Sequence, residues 1–405
     1  MGIGLDEYNI IKDISRRRIR ETRTDTRRFL IKSIDWRDRL IAISGARGTG
    51  KTTLILQHIR EEFADNPDAA IYISLDNMWF EVHPLLDLVE AHYKFGGTHI
   101  FIDEIHHMKD WQLLIKNIYD NYPGLNIVYT GSSLLKMDFE GGDLSRRQIR
   151  YLLPGLSFRE YIYFEGAGDH KPVSLDDLIM NHEKIAEEYI SGNRILKLFN
   201  AYLQKGYYPF YKEVYAGYGQ RLEQVINQIL ESDYPAVASI NYSTVSKIKK
   251  MLYILAQNCP QTPNMSELYR QLDTDRNQGL KMLYILDKAN LLSLLQSGSS
   301  SLKNMGRPDK IYCDNTNIMY SLTENVNTGT RRETFFLNQL KSAGYEVTYP
   351  KQGDFLINGR YLFEVGGKNK SFNQIKDIPY SYLAIDEEET CYGNKIPLWM
   401  FGLLY

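Results

Sequence analysis

Eight residues, Gly45-Ala46-Arg47-Gly48-Thr49-Gly50-Lys51-Thr52, constrain this chain more than any other stretch. They complete a G-x-x-x-x-G-K-[ST] pattern. The strand-like run RLIAIS (39–44) precedes it and the helix-like TTLILQHI (52–59) follows. Strand, glycine loop and helix together are the context in which such a loop turns its main-chain N–H groups around phosphate oxygens. The helix N-terminus adds partial positive charge. In this arrangement Lys51 neutralises the β- and γ-phosphates, the Thr52 hydroxyl ligates Mg²⁺, and the loop from Gly45 to Thr53 surrounds the nucleotide.

The surrounding pattern carries the same implication. Four short apolar runs, RLIAIS (39–44), AAIYISL (69–75), THIFID (98–103) and NIVYT (126–130), alternate with amphipathic stretches beginning near Lys51, Val82 and Met108. Strand and helix alternating at this spacing predict βαβ units, a parallel sheet and helices on both faces. A phosphate site of this kind also needs an acidic group at the end of a neighbouring strand. IFIDE supplies Asp103 for Mg²⁺ and Glu104 to polarise an attacking water. At the tip of the next strand, Thr130, Ser132 and Ser133 are candidates to sense the γ-phosphate.

His106 and His107 follow the acidic pair, but adjacent histidines are expected to point apart, which disfavours a metal site. DEIH also matches a helicase box, yet the C-terminal half shows no second motor sheet. Arg146, Arg147 and Arg150 are candidates to stabilise the transferring phosphoryl, acting from a neighbouring subunit.

Composition sets outer bounds. With 405 residues, two to four domains are expected. A formal net charge of −2 gives no global field toward nucleic acid or membrane. Cys259, Cys313 and Cys391 lack metal-ligand spacing and imply no disulfide framework, which suits the cytoplasm. No signal-peptide core and no membrane span are expected. Residues 1–38 are rich in arginine and read as a solvated helical lead-in, or else as a phosphate or partner contact.

Downstream, LDDLIMNHEKIAEEYI, NRILKLFNAYLQKG and QRLEQVINQILESD read as helices. Residues 243–297 read as a compact helical module, and SGSSSLKNMGRPDK (297–310) as the wing of a winged helix or a linker. The last segment combines the helix RRETFFLNQLKSAG with short strands YEVTYP, DFLING, RYLFEVG, YLAID and LWMFGLL.

GARGTGKTT, IFIDEIHHMKDW, VYTGSS and LSRRQIRYLLPGLSFREY, with YLQKGYYPFY and GRPDKIYCDNTNIMYSL further on, resemble the bacterial and archaeal AAA+ family ATPases whose C-terminal domain is catalogued as of unknown function. The resemblance implies an α/β P-loop core, a helical lid, a winged-helix-like module and a C-terminal restriction-endonuclease-like domain. The corresponding segments are a lead-in at 1–38, the ATPase core at 39–165, a lid at 166–240, the winged-helix-like module at 241–325 and the nuclease-like domain at 326–405. It also implies ATP rather than GTP, self-association, and Arg147 at the family's arginine position.

A restriction-like domain needs carboxylates on neighbouring strands to hold a second divalent ion, and a lysine to support the attacking water. Glu333, Asp354 and Glu364 are the candidates, with Lys368 or Lys370 displaced from the usual lysine position, which Gly366 occupies. The winged-helix-like module would place Lys247, Lys249, Lys250, Arg270 and Arg276 toward duplex DNA, or else dock a protein partner. Three functions follow as expectations: an ATP-driven switch or motor, an ATP-regulated metal-dependent nuclease, and a DNA- or protein-binding adaptor that uses ATP as a conformational ligand.

Overall fold

The computed structural model describes residues 3–132, 144, 146–214, 216–237, 242–258, 264–297 and 307–405. Ser133, Cys259 and most of the expected wing lie outside them. The chain forms two compact units: residues 1–154 with 232–239, and residues 155–231 with 240–405.

The first unit runs α1 (Leu5–Glu21), β1 (Leu40–Gly45), α2 (Lys51–Glu62), β2 (Ala70–Ser74), α3 (Leu85–Lys94), β3 (His99–Asp103), α4 (Trp111–Asn121), β4 (Asn126–Ser132) and β5 (Ile149–Leu152). The strands form one sheet in the order β2-β3-β4-β1-β5, and every pairing is parallel. A parallel sheet is covered on both faces, and the side chains of β1 show why. Leu40 and Ala42 face a core shared with α3, α4 and Tyr8 and Ile11 of α1. Ile41 and Ile43 face the opposite core, with Leu54, Ile55 and Ile59 of α2. The four expected strands are all present. β5 is an addition that its exposed, half-polar sequence IRYL does not announce.

The N-terminal segment is not a solvated lead-in. Tyr8, Ile11 and Ser15 of α1 are buried, and the Ser15 hydroxyl accepts from the Tyr72 N–H of β2 at 2.9 Å. Three of its arginines are engaged locally: Arg16 pairs with Asp68, Arg27 with Glu61, and Arg18 donates to the Tyr72 hydroxyl at 3.1 Å.

The second unit opens with α5 (Phe158–Phe164), α6 (Leu175–Ile190), α7 (Ile195–Lys205) and α8 (Tyr218–Gln228). A π-helical turn, Ile229–Asp233, then leads the chain back to the first unit, where it forms the short helix α9 (Tyr234–Val237). Next come α10 (Tyr242–Asn258), α11 (Met265–Gln271), α12 (Arg276–Lys288) and an antiparallel pair, β6 (Leu292–Leu295) with β7 (Lys310–Cys313). The chain continues through α13 (Thr316–Leu322), α14 (Thr328–Ser342), β8 (Val347–Thr348), β9 (Phe355–Ile357), β10 (Tyr361–Gly366), β11 (Ser381–Ile385) and β12 (Lys395–Pro397). The last five strands form a mixed sheet, β12-β11-β10-β9-β8, parallel on one side of β10 and antiparallel on the other.

Of the residues that carry the sequence resemblance, those in LSFREY, YLQKGYYPFY and DNTNIMYSL form a buried joint of this unit. Ser157 caps α5, and its hydroxyl and the Arg159 guanidinium both donate to the main-chain oxygen of Tyr405. Asn317 accepts from the Tyr207 N–H and the Tyr218 hydroxyl and donates to the Tyr202 and Leu203 carbonyls. A Cβ on Gly155 would lie 2.3 Å from the Tyr207 ring, so only glycine fits. The run LWMFGLL, expected as a strand, is a 3₁₀ helix at Leu398–Leu403. Residues 398–403 are all buried, and an apolar run without alternation carries no period to separate strand from helix.

Buried neutral histidines make the first unit acid-sensitive. His92 lies with Nδ1 3.0 Å from the Tyr8 hydroxyl and Nε2 3.0 Å from the His99 carbonyl, an arrangement that suits the neutral ring. Burial lowers its pKa to about 4, against an ordinary 6.5. The unfolded chain therefore takes up the proton first. This contribution is complete above pH 6.5 and is lost as pH falls toward 4. Between pH 7 and 5 it amounts to about 2 kcal/mol. His92→Gln should flatten the pH dependence of α3 and β3 amide exchange by that amount. An unchanged slope would show that His92 does not carry it.

Candidate active site

Parallel strands deliver their C-terminal ends to one edge of the sheet, where ligand crevices form. Gly45 ends β1 there, Asp103 ends β3, and Ser132 ends β4. Glycine is required at three positions of the loop. Gly48 and Gly50 have φ of 84° and 92°, and a Cβ on Gly45 would lie 2.3 Å from the Leu153 carbonyl oxygen.

Asp103 is the organising group. It is buried, and one carboxylate oxygen accepts from the Thr52 hydroxyl at 2.7 Å and the Tyr72 hydroxyl at 2.9 Å. The other accepts from the Thr130 hydroxyl. Thr130 also accepts from the Glu104 N–H at 3.1 Å. Thr130 therefore faces Asp103, while Ser132 is buried beside Gly45 in the strand register. Lys51 is buried, and its ammonium donates to the Gly45 and Ala46 carbonyls at 2.9 and 3.1 Å. Thr53 is exposed on α2.

Glu104 stands in the left-handed region, at φ 55°. Burial raises its pKa, the Lys51 charge opposes that, and Asp103 adds to it. His106 is buried, with Nδ1 3.2 Å from Glu104 Oε2, and burial lowers its pKa to about 4. The His106 and His107 rings do not point apart. The 3₁₀ turn Ile105–His107 brings their centroids within 4.5 Å, one ring buried and one exposed. Among the described residues, no three His, Cys, Asp or Glu side chains gather to hold a metal ion.

Three contributors to this site escaped the sequence reading. Tyr72 sits inside an apolar strand and looks like core. Arg28 is buried and donates to the Thr49 carbonyl and, at 2.8 Å, to the Pro154 carbonyl, tying the loop to the end of β5. Asp233 lies far along the chain, yet Arg47 Nη1 is 3.1 Å from both of its carboxylate oxygens. The arginine-rich N-terminal run, with its alternative reading as a phosphate or partner contact, includes Arg28 without singling it out, and nothing in the local sequence flags Tyr72 or Asp233.

Arg147 is not brought to this edge. Ile149 pairs with Ile41 at the start of β1, about 13 Å of strand from Gly45. Arg147 precedes that point and pairs with Asp120 at the end of α4, at 3.3 Å.

In the second unit, the nuclease-type residues do converge. Asp354 accepts from the Val365 N–H at 2.9 Å, which places it beside Glu364 on β10. Lys368 is not part of this group: it is exposed and pairs with Glu388 at 3.2 Å. The lysine at Glu364 is Lys370, 3.5 Å away. The turn through Gly366-Gly367 lays its stem where a Gly366 side chain would stand, since a Cβ there would lie 2.7 Å from Lys370 Cβ and Cγ. Lys310 intervenes between the other two carboxylates, 3.4 Å from Glu333 and 3.8 Å from Asp354. Glu333 also accepts from the Tyr312 hydroxyl at 2.7 Å.

Comparison with known proteins agrees with the geometry of the first unit. Residues 37–162 match the family described as AAA domain, and residues 196–328 match Domain of unknown function (DUF8612). The chain is 28% identical over 372 residues to the uncharacterized protein MJ1637 of Methanocaldococcus jannaschii, a match covering 83% of this chain and 77% of that protein. Among solved structures, it aligns with a DNA replication initiation factor at 16% identity and TM-score 0.27, over 69% of this chain and 94% of that one. It also aligns with AMPPCP-bound DnaA from Aquifex aeolicus at 14% identity and TM-score 0.28, over 71% and 88%. The residues that match the AAA domain family, 37–162, include the phosphate loop and all of β1–β5, the parallel sheet of the first unit. No helix among the described residues is long and apolar enough to cross a membrane.

The Arg28 contacts can be tested directly. Arg28→Ala leaves two buried carbonyls without their donor and should destabilise the first unit by about 2–4 kcal/mol. Chemical denaturation read at α2 or β1 would measure this. A loss under 0.5 kcal/mol would mean the loop does not depend on Arg28.

Proposed function

We propose that the chain binds ATP on the loop Gly45–Thr53 and hydrolyses it, acting as a switch on the modules that follow. The observation that carries this reading is the Thr52 hydroxyl 2.7 Å from the Asp103 carboxylate, on the same sheet edge as Lys51 and Glu104. These two oxygen donors fit a hard cation such as Mg²⁺. Bound with the nucleotide, Mg²⁺ would supply positive charge against the phosphate oxygens. Lys51 is held by main-chain carbonyls and can exchange them for phosphate oxygens. Ser132 lies beside Gly45 and is placed to read the terminal phosphate. Glu104, anchored by Thr130 through its N–H, is the group to accept a proton from the attacking water.

Arg147 cannot serve its own site from the opposite edge. In this reading it completes the site of a neighbouring subunit, which requires self-association. Lys51→Ala should weaken ATP binding at least tenfold. Glu104→Gln should bind ATP like wild type and lose at least 95% of turnover. Equilibrium binding and phosphate release, measured side by side, test both. Normal hydrolysis by Glu104→Gln would remove Glu104 from this role.

DNA binding by the winged-helix-like module has less to support it. Lys249 pairs with Glu231, Arg270 with Glu267, and Lys247 and Lys250 donate to the Asp273 and Gln271 carbonyls. These cations are engaged locally, which favours a docking or lid role for α10–α12.

The C-terminal carboxylates do not fit a second divalent ion. Lys310 already neutralises Glu333 and Asp354, so no cleavage step through a metal is assigned to them. Asp354 beside Glu364 and Lys370 over Gly366 are the features that resemble a nuclease arrangement. Mn²⁺ titration by calorimetry should show no heat that Glu364→Ala abolishes. Lys310→Met should create such binding by freeing the two carboxylates. A Glu364-dependent site in wild type would reinstate the nuclease reading.

A further inference from the structure

Asp233 is the least expected side chain near the phosphate loop. It ends a π-helical turn, a local irregularity often found at functional positions. It arrives after the helices α5–α8 of the second unit, and the chain leaves for α10 within a few residues. It is only 1% exposed, so its charge requires partners. Arg47 supplies them, with Nη1 3.1 Å from both carboxylate oxygens. His106 Nε2 stands 4.0 Å from Asp233 Oδ1, and His106 Nδ1 stands 3.2 Å from Glu104 Oε2. Asp233, His106 and Glu104 are therefore neighbours in that order, in contact by charge and proximity rather than by hydrogen bonds to the ring. Arg47 is close enough that its charge, with that of Lys51, acts on both Glu104 and His106.

We propose that Asp233 is a positioning residue for hydrolysis: it fixes Arg47 and His106, and through His106 it sets the orientation of the Glu104 carboxylate. The inference rests on the reading of Glu104 as the base. The physical reason is constraint. His106 is buried with neither ring nitrogen hydrogen-bonded, and Glu104, two residues before it, is itself in the left-handed region with its Oε2 3.2 Å from the ring. A fixed anion on the far side of the ring sets which way the ring faces. The segment 232–237 is covalently continuous at both ends with the second unit, so displacing it withdraws Asp233 and leaves the base misaligned. ATP turnover then depends on where that segment is held.

The test is steady-state ATP hydrolysis by the full chain, with binding of a fluorescent ATP analogue measured separately. Asp233→Asn keeps the shape and removes the charge. It should lower kcat about tenfold while KM and analogue affinity stay within threefold. In an Arg47→Ala, His106→Gln background, Asp233→Asn should cost nothing further, because its partners are gone. If Asp233→Asn no longer binds the analogue, His106→Gln alone decides: the inference requires its kcat to fall with KM unchanged. A wild-type kcat in Asp233→Asn, or a full additional loss in the partner-less background, overturns the inference. If Glu104→Gln is inactive and Asp233→Asn is normal, the base assignment stands and only this inference falls. A wild type that does not turn over ATP removes both.

Discussion

One buried carboxylate organises the first unit. Asp103 leaves water at the end of β3, and that costs several kcal/mol unless hydrogen-bond donors replace the solvent. Three hydroxyls do so, from Thr52 of α2, Tyr72 of β2 and Thr130 of β4. Each donor comes from a different element, so the bonds also fix the relative placement of those elements. The Tyr72 phenol has its pKa raised, by burial first and then by Asp103. It remains a neutral donor, and it receives Arg18 from α1. The N-terminal helix thereby reaches the site through two hydrogen bonds.

The phosphate loop is held from outside as well as by its glycines. Arg28 spans the Thr49 and Pro154 carbonyls, and Asp233 holds Arg47. Both are buried ionic side chains contributed by segments remote in sequence. Removing either partner leaves a buried charge or buried carbonyls uncompensated, a larger penalty than the bond itself is worth. The loop's geometry is therefore a property of the whole unit.

In the second unit, the same logic places polar side chains in a structural role. Asn317, Ser157 and Arg159 are buried and spend their hydrogen bonds on main-chain groups and tyrosine hydroxyls. The most specific stretches of the sequence resemblance are therefore the joint that closes this unit. The cluster of Glu333 on α14, Asp354 just before β9 and Glu364 on β10 is likewise settled by lysines. Lys310 lies on β7, before the segment that supplies the carboxylates, which is why a reading confined to that segment did not include it.

The sequence alone determined what depends on neighbours along the chain. The phosphate loop, the four apolar strands before residue 131 and the Asp103–Glu104 pair are all local patterns. Period and turn chemistry dictate them, and the structure has each at its expected place. β5 escaped because its residues are half polar, and LWMFGLL was misjudged because a fully buried run has no period. Tertiary structure alone decided which remote groups complete the site. Arg28, Tyr72 and Asp233 reach it by sheet register and by a chain reversal, and neither leaves a trace in spacing. It also decided between Lys368 and Lys370, since two glycines at a strand end turn the chain by an amount that composition does not specify. Hydrogen bonds to a buried charge form between whichever segments the fold brings together, and only the folded chain decides which those are.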